Sequence, residues 1–416
     1  MNTAKRFLTQ LTAVTLAICV LFLSSCAPKK IDVEEYPGAV PAVEADTEIK
    51  TEEKTIPGDD EEKAVSMTDK DFEDFIAIPD PFEKNGKFQF CPDAIPECYA
   101  RQYREKPEII YVAKEILKAV YSGKTVVELP PEYELKNYDY MTAISIAQAS
   151  CPLADACSIW PYEEDMLHYS ITYFPKEELV FTENGEIDND NSTFEFLTED
   201  EALIMINSFT DYIQTLIDNN VTKDDSDMEK AEKIYEALVK EISYRERAPW
   251  EDNNYYVSLE ELAESLSSQT TMVEDILNEK ATTQTRIALL YQYILTQLNI
   301  ECLSVTSSGL YTNQGIERLD SEMGMNGRNY WNVVVVDGKA YNCDLAYEML
   351  TYEYDKSMSA DCLPQMIYFG MSDSTRAQTF TISSRDSLFL YNTDLDLEYG
   401  NAPKGLVPEC KEDYKK

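Results

Sequence analysis

The sequence predicts an α+β fold, a helix-rich layer around an antiparallel sheet, preceded by a mixed α/β domain. Three observations predict it. Two capping boxes, Thr198-x-x-Glu201 and Ser226-x-x-Glu229, each open a run of apolar residues at near-helical spacing. A third stripe, Ile287, Tyr291, Ile294 and Leu298, follows a helix start around Thr282 to Gln284. Three strand-like runs come next, Glu301 to Thr306, Tyr330 to Val336 and Lys339 to Asp344, with Asp337-Gly338 joining the last two as a tight hairpin.

Before the globular part, residues 1–25 read as a secretory signal. Lys5 and Arg6 form a short positive region, an apolar stretch runs from about Leu8 to Leu23, and Leu23-Ser24-Ser25-Cys26 closes it. That ending resembles the bacterial lipobox, which implies cleavage before Cys26 and diacylglycerol on its sulfur. Several acyl chains at one residue hold a protein durably on a membrane, so the expected location is the extracytoplasmic face of the cell membrane, lipid-anchored. No later segment reaches the ~18 unbroken apolar residues of a membrane helix. Residues 26–66 read as a tether: positions 27–66 carry 12 Asp and Glu, five Lys, four Pro and one aromatic, Tyr36. Such a composition has no stripe to bury and extends through self-repulsion.

Residues 67–222 read as the mixed α/β domain. His168 to Phe174 is aromatic and β-branched enough for a strand, and Leu179 to Ile187 contains the turn signal Asn184-Gly185. Thr198 then opens a helix with Leu203, Ile206, Ile213 and Leu216 on one side. Residues 223–416 form the second domain, where Ser226 opens a helix with Ile234, Leu238 and Ile242 at four-residue steps, ending near Tyr244.

Charge and composition exclude several functions. With the signal removed, 34 basic residues stand against 77 acidic ones, a net charge of −43. Such a surface repels phosphate backbones and anionic headgroups, so nucleic acid is not an expected partner and the acyl chains must supply membrane attachment. One histidine, His168, excludes histidine-rich metal sites, and no P-loop or Gly-x-Ser-x-Gly elbow is present. No metal or cofactor is expected. Eight cysteines remain after Cys19 and Cys26 are set aside. In an exported chain, Cys91 with Cys98 and Cys151 with Cys157 are spaced to close small disulfide loops, with reduced structural thiols as the competing reading.

The second domain carries a resemblance. A helix whose N-terminus faces an antiparallel meander lowers a cysteine's pKa, while a strand histidine takes the proton and an acid orients it. Asp227 to Tyr244 looks like the helix before such a nucleophile, and Lys280-Ala-Thr-Thr-Gln-Thr-Arg-Ile-Ala288 lies at the nucleophile segment. Asn329-Tyr-Trp-Asn-Val-Val-Val-Val-Asp-Gly-Lys-Ala-Tyr-Asn-Cys-Asp344 is similar, without a gap, to the His-Ala-Trp-Asn strand, Asp-Gly turn and Tyr-Asn-x-Asp strand of the transglutaminase-like superfamily. Tyr368-Phe369 followed by Met371-Ser-Asp373 also resembles a family segment. The resemblance spans about 226–375 and implies a papain-like fold.

It also implies a triad, and two of its positions are changed. Gln284 (Thr283 one register back) stands for the cysteine and Asn329 for the histidine; only the acid, Asp344, is kept, with Trp331 beside it. A carboxamide supplies neither thiolate nor base near neutral pH. The expectation is a non-catalytic binding or scaffold module, with Tyr330, Trp331, Asn332 and Tyr341 as candidate contacts to cell-wall peptide, glycan or a surface protein. Ordinary strand packing is the competing reading of these residues. The loop Ser307 to Arg328, with Gly309, Gly315, Gly324 and Gly327, is long enough to shape a cleft rim. Two other functions compete: a cysteine-type peptidase or acyltransferase with displaced groups, using Cys302 or Cys343, and a transporter's substrate-binding lipoprotein, whose two doubly wound lobes the contiguous hairpin argues against.

Overall fold

Capping chemistry sets where the central helices begin. Thr198 and Ser226 each accept the backbone N–H three residues on, while Glu201 and Glu229 reach back to the cap. Losing such a cap costs about 1 kcal/mol. The computed structural model describes residues 67–135, 139–161, 166–173, 176–178, 193–245, 271–308, 328–379, 387–388 and 407–415. The signal, Cys26 and the tether lie outside the described residues, as do the Asn184-Gly185 turn and loop residues 309–327.

In chain order the elements are α1 (Asp69–Ile76), α2 (Glu97–Gln102), α3 (Pro107–Tyr121), β1 (Val126–Glu128), α4 (Asp139–Ser150) and α5 (Pro152–Asp155). Strands β2 (Cys157–Pro161), β3 (His168–Tyr173), β4 (Lys176–Glu178) and β5 (Thr193–Glu195) follow, then α6 (Glu199–Asn220), α7 (Asp227–Glu241) and β6 (Ser243–Tyr244). The remainder comprises α8 (Met272–Glu274), a π turn (Asp275–Glu279), β7 (Ala281–Thr282), α9 (Gln284–Gln297), β8 (Glu301–Ser308), β9 (Arg328–Val336), β10 (Lys339–Cys343), α10 (Leu345–Met358), α11 (Asp373–Thr379) and β11 (Ser387–Leu388). Helices thus surround small, mainly antiparallel sheets, an α+β arrangement: β1-β3-β2, the four-stranded β10-β9-β8-β11, the pair β4-β5 and the short parallel pair β6-β7.

The four-stranded sheet is built on β9. Its run Tyr-Trp-Asn-Val-Val-Val-Val lies between β8 and β10, and a strand covered on both faces needs no polar alternation. Asp337 (φ 51°) and Gly338 (φ 72°) are both left-handed, the type I′ geometry that matches strand twist. Lys339 accordingly pairs with Val336 and Cys343 with Asn332. Two expected ends shift by a few residues. The helix expected to reach Tyr244 stops at Glu241, because Ser243 and Tyr244 pair in parallel with Ala281 and Thr282. The strand expected to reach Asp344 stops at Cys343, because Asp344 turns to cap α10.

Helix α9 is buried along nearly its whole length, the state of a helix apolar on every side. It packs on β8 and β9 and is met from other directions by α4, α7 and α10. Polar side chains on it are each matched. Gln292 donates to the Ala149 carbonyl (3.0 Å) and accepts from Tyr99 Oη (3.2 Å) and the Ser304 N–H (2.6 Å). Gln297 clasps the Cys91 backbone, accepting its N–H at 2.9 Å and donating to its carbonyl at 3.0 Å. The core therefore runs continuously across the expected boundary at 222/223, which falls in the loop between α6 and α7.

The eight described cysteines are free thiols. The small disulfide loops expected for Cys91 with Cys98 and Cys151 with Cys157 are not formed. Cys157 Sγ instead donates to the Leu153 carbonyl at 3.1 Å, and Cys151 Sγ lies 3.8 Å from Tyr121 Oη.

Candidate functional site

The first turn of α9 holds the position that the resemblance gives to the nucleophile. Thr283 is the N-cap but makes no side-chain cap bond, and Gln284 follows as the first helical residue, 7% exposed. A buried carboxylate fixes the approach to this turn. Asp275, fully buried in the π turn, accepts from Thr282 Oγ1 (3.0 Å), Arg245 Nη2 (3.1 Å) and Arg286 Nη1 (2.6 Å). One oxygen thus ties together β7, the residue after β6 and the first turn of α9. Lys280, between the π turn and β7, adopts the left-handed conformation at φ 52°. A non-glycine residue held there carries strain that its surroundings must offset.

The sheet grips α9 one turn further along. Asn332 Nδ2 donates to the Ala288 carbonyl at 2.9 Å, and Ser304 Oγ donates to the same oxygen at 3.1 Å. Asn329 pairs through its backbone with Ser307; its side chain lies outside the described residues.

Asp344, at the position that the resemblance gives to the acid, is fully buried and occupied by structure. Its carboxylate caps α10, accepting the Tyr347 N–H at 3.4 Å, and meets Arg376 Nη2 at 3.3 Å. Its carbonyl accepts from Tyr235 Oη at 2.9 Å. The Arg376 guanidinium lies 3.9 Å from the centre of the Trp331 ring, and the two are each 1% exposed. Trp331 Nε1 donates to Asn342 Oδ1 (2.9 Å), and Asn342 Nδ2 donates to Asp373 Oδ1 (3.0 Å). The fold thereby brings Trp331, Asp344, Asn342, Asp373 and Arg376 into one buried group. Arg376 escaped the sequence reading because nothing local marks it; its partner lies 32 residues away in sequence.

The four candidate contact residues are packed inside: Tyr330 6%, Trp331 1%, Asn332 0% and Tyr341 7% exposed. Cys302 and Cys343 are wholly buried, and burial pushes both thiols well above the ordinary cysteine value. The thiolate is the attacking species, so neither is activated as a nucleophile. His168 sits on β3 opposite Glu128. Among the described residues, no three His, Cys, Asp or Glu side chains are placed to hold a metal ion.

Glu348, also buried on α10, shapes the ground beside Asp344. It accepts the Met366 N–H at 2.8 Å and the Tyr368 N–H at 2.9 Å, holding that turn in place. Burial nevertheless outweighs these donors and raises its carboxyl above the ordinary 4.5. A group raised in this way contributes stability that is full below its unfolded pKa and is lost as pH rises through the folded one. Urea titrations from pH 4.5 towards neutrality are therefore expected to show wild type losing stability relative to Glu348→Gln. Parallel pH profiles for the two proteins would assign the slope to other groups.

No protein-family model matches the chain, and no curated protein matches it. Among solved structures, it is similar to a transglutaminase at 12% identity and TM-score 0.23, over 45% of this chain and 43% of that one. It is also similar to a provisionally assigned protease from Parabacteroides distasonis at 13% identity and TM-score 0.21, over 45% of this chain and 35% of that one. The chain thus spans less than half the length of either structure.

Proposed function

We propose that this chain is a lipoprotein held on the extracytoplasmic face of the membrane through Cys26, and that its transglutaminase-like domain binds or scaffolds without catalysing. The observation that carries the reading is the fate of Asp344. A catalytic acid must be available to a base, whereas this carboxylate caps a helix and pairs with a buried arginine stacked on Trp331. Gln284 and Asn329, at the other two triad positions, carry no ionisable group. Loss of the nucleophile in such a unit removes on the order of a millionfold in rate. The partner belongs to the cell surface: a wall peptide, a glycan or another surface protein, and not nucleic acid.

The test uses the chain purified in detergent and incubated with peptidoglycan-type peptides and generic acyl donors, with products followed by mass spectrometry. Wild type is expected to be silent. Gln284→Cys/Asn329→His is expected to become thiol-reactive or to turn over, which would identify a cleft that retains the family geometry. Product release or a trapped acyl group in wild type would overturn the reading and name the true nucleophile. Metabolic labelling with a fatty acid, lost in Cys26→Ser, tests the anchor separately.

A further inference from the structure

Residues 407–415 return to the β9–β10 hairpin as an extended strap. It runs antiparallel to residues 370–373: Asp373 donates its backbone N–H to the Cys410 carbonyl (2.8 Å), and Tyr414 donates its own to the Gly370 carbonyl (2.8 Å). Side chains extend the match. The Cys410 N–H donates to Asp373 Oδ2 at 2.9 Å. Asp413 accepts the Ser372 N–H at 2.7 Å and the Thr375 hydroxyl at 2.8 Å. Glu412 pairs with Lys339 at 2.6 Å. The Tyr414 ring meets Tyr341 and Phe369 edge-on, with centroids 6.1 and 6.0 Å away.

The receiving surface is shaped for this backbone. Gly370 sits at φ +73°, and a Cβ there would stand 2.7 Å from Tyr414 Cβ, so a glycine leaves room that any other residue would fill. Main-chain bonds along an extended segment, with side chains fitted at set positions, are how an added strand is recognised. Much of the strap faces solvent: Glu409, Lys411, Glu412 and Asp413 are exposed, while Cys410 is buried and Val407 and Tyr414 pack partly against the core. A segment held largely by polar contacts at the surface opens locally before the core does.

We propose that Lys339, Tyr341, Gly370, Ser372 and Thr375 form a docking groove for an extended peptide with two consecutive acids followed by an aromatic residue. Residues 407–415 occupy it as an internal ligand, which a partner peptide of the same chemistry displaces. The inference deepens the binding-module reading, naming a peptide as the partner class and placing Tyr341 at the groove under the strap.

A fluorescein-labelled peptide of residues 406–416 tests it, titrated by anisotropy against the full chain in detergent and against its Glu412→Ala/Asp413→Ala/Tyr414→Ala variant. A tethered segment competes at an effective concentration on the order of millimolar. Wild type is therefore expected to bind the peptide at least about 10-fold more weakly than the variant. A peptide carrying Tyr414→Ala should lose a similar factor. Equal binding by the two proteins, or equal binding of a scrambled peptide, overturns the proposal. If the variant loses cooperative unfolding, hydrogen exchange on wild type decides. The Tyr414 and Asp373 amides should exchange at least about 100-fold faster than those of β9. Exchange at the rate of β9 would make the strap part of the core and end the idea. Binding is read without turnover, so its failure leaves the inactive-cleft reading standing, and product release in the catalytic test leaves the groove standing.

Discussion

Replacing Arg376 with methionine is expected to lower the unfolding free energy by about 3–5 kcal/mol, the usual cost of stranding one member of a buried ion pair. The pair is dry: its side chains are 2% and 0% exposed, with Nη2 and Oδ2 3.3 Å apart. Methionine retains much of the apolar contact with Trp331 but removes the charge, leaving the Asp344 carboxylate uncompensated in a medium that solvates it poorly. The cation–π contact, about 2 kcal/mol when desolvated, is lost with it. The diagnostic variant is Arg376→Met/Asp344→Asn. Asparagine still caps α10, so the pair of changes removes both charges and keeps the cap. It is expected to recover more than half of the single-variant loss, because removing a whole buried pair is often close to neutral. Urea midpoints at constant slope measure both effects. A single-variant cost below about 1 kcal/mol would mean that Asp344 is not committed to this pair, and the structural account of its carboxylate would fall.

That commitment shows where sequence reading stops. The β9–β10 hairpin was legible because its signals are local: a run of β-branched residues, an Asp-Gly turn and a fixed two-residue register. The capping boxes of α6 and α7 were legible for the same reason. Helix α10 is not, since Leu345 to Met358 mixes tyrosines and acids without a clean apolar stripe, and Asp344 continues the strand-like run from Lys339. Trp331 and Tyr341 were identified as residues of interest, but their burial depends on segments far along the chain, Arg376 and Tyr414. The same holds at the start of α9: the sequence marks a helix start around Thr282 to Gln284, where the helix begins, but not the carboxylate that organises the turn. Asp275 carries no motif, and only the fold brings Arg245, Thr282 and Arg286 to it.

Asp275→Ala is accordingly expected to cost about 3 kcal/mol, with its structural effect concentrated in the first turn of α9. Three donors converge on one buried oxygen, at 3.0 Å from Thr282, 3.1 Å from Arg245 and 2.6 Å from Arg286. Alanine removes the acceptor for all three. The two arginines fare differently from Thr282. Their side chains are 32% and 22% exposed, so each regains some hydration on turning outward, which holds the cost below that of a fully sealed site. Thr282 is fully buried, and its hydroxyl loses a partner in a place water does not reach, itself worth about 1–3 kcal/mol. Asp275→Asn separates the two contributions. It keeps an oxygen for the threonine while removing the charge, so it should cost less than alanine and respond more weakly to salt. Hydrogen exchange locates the damage: amides of residues 281–287 should lose protection in Asp275→Ala while those of β9 keep theirs. Uniform loss across both regions would show that Asp275 supports the whole core. Full retention in both would show that the first turn of α9 is held by its packing alone. The first outcome would tie the geometry at Gln284 to global stability. The local outcome would make Asp275 the residue that positions the turn, and so the one to preserve when a cysteine is placed at 284.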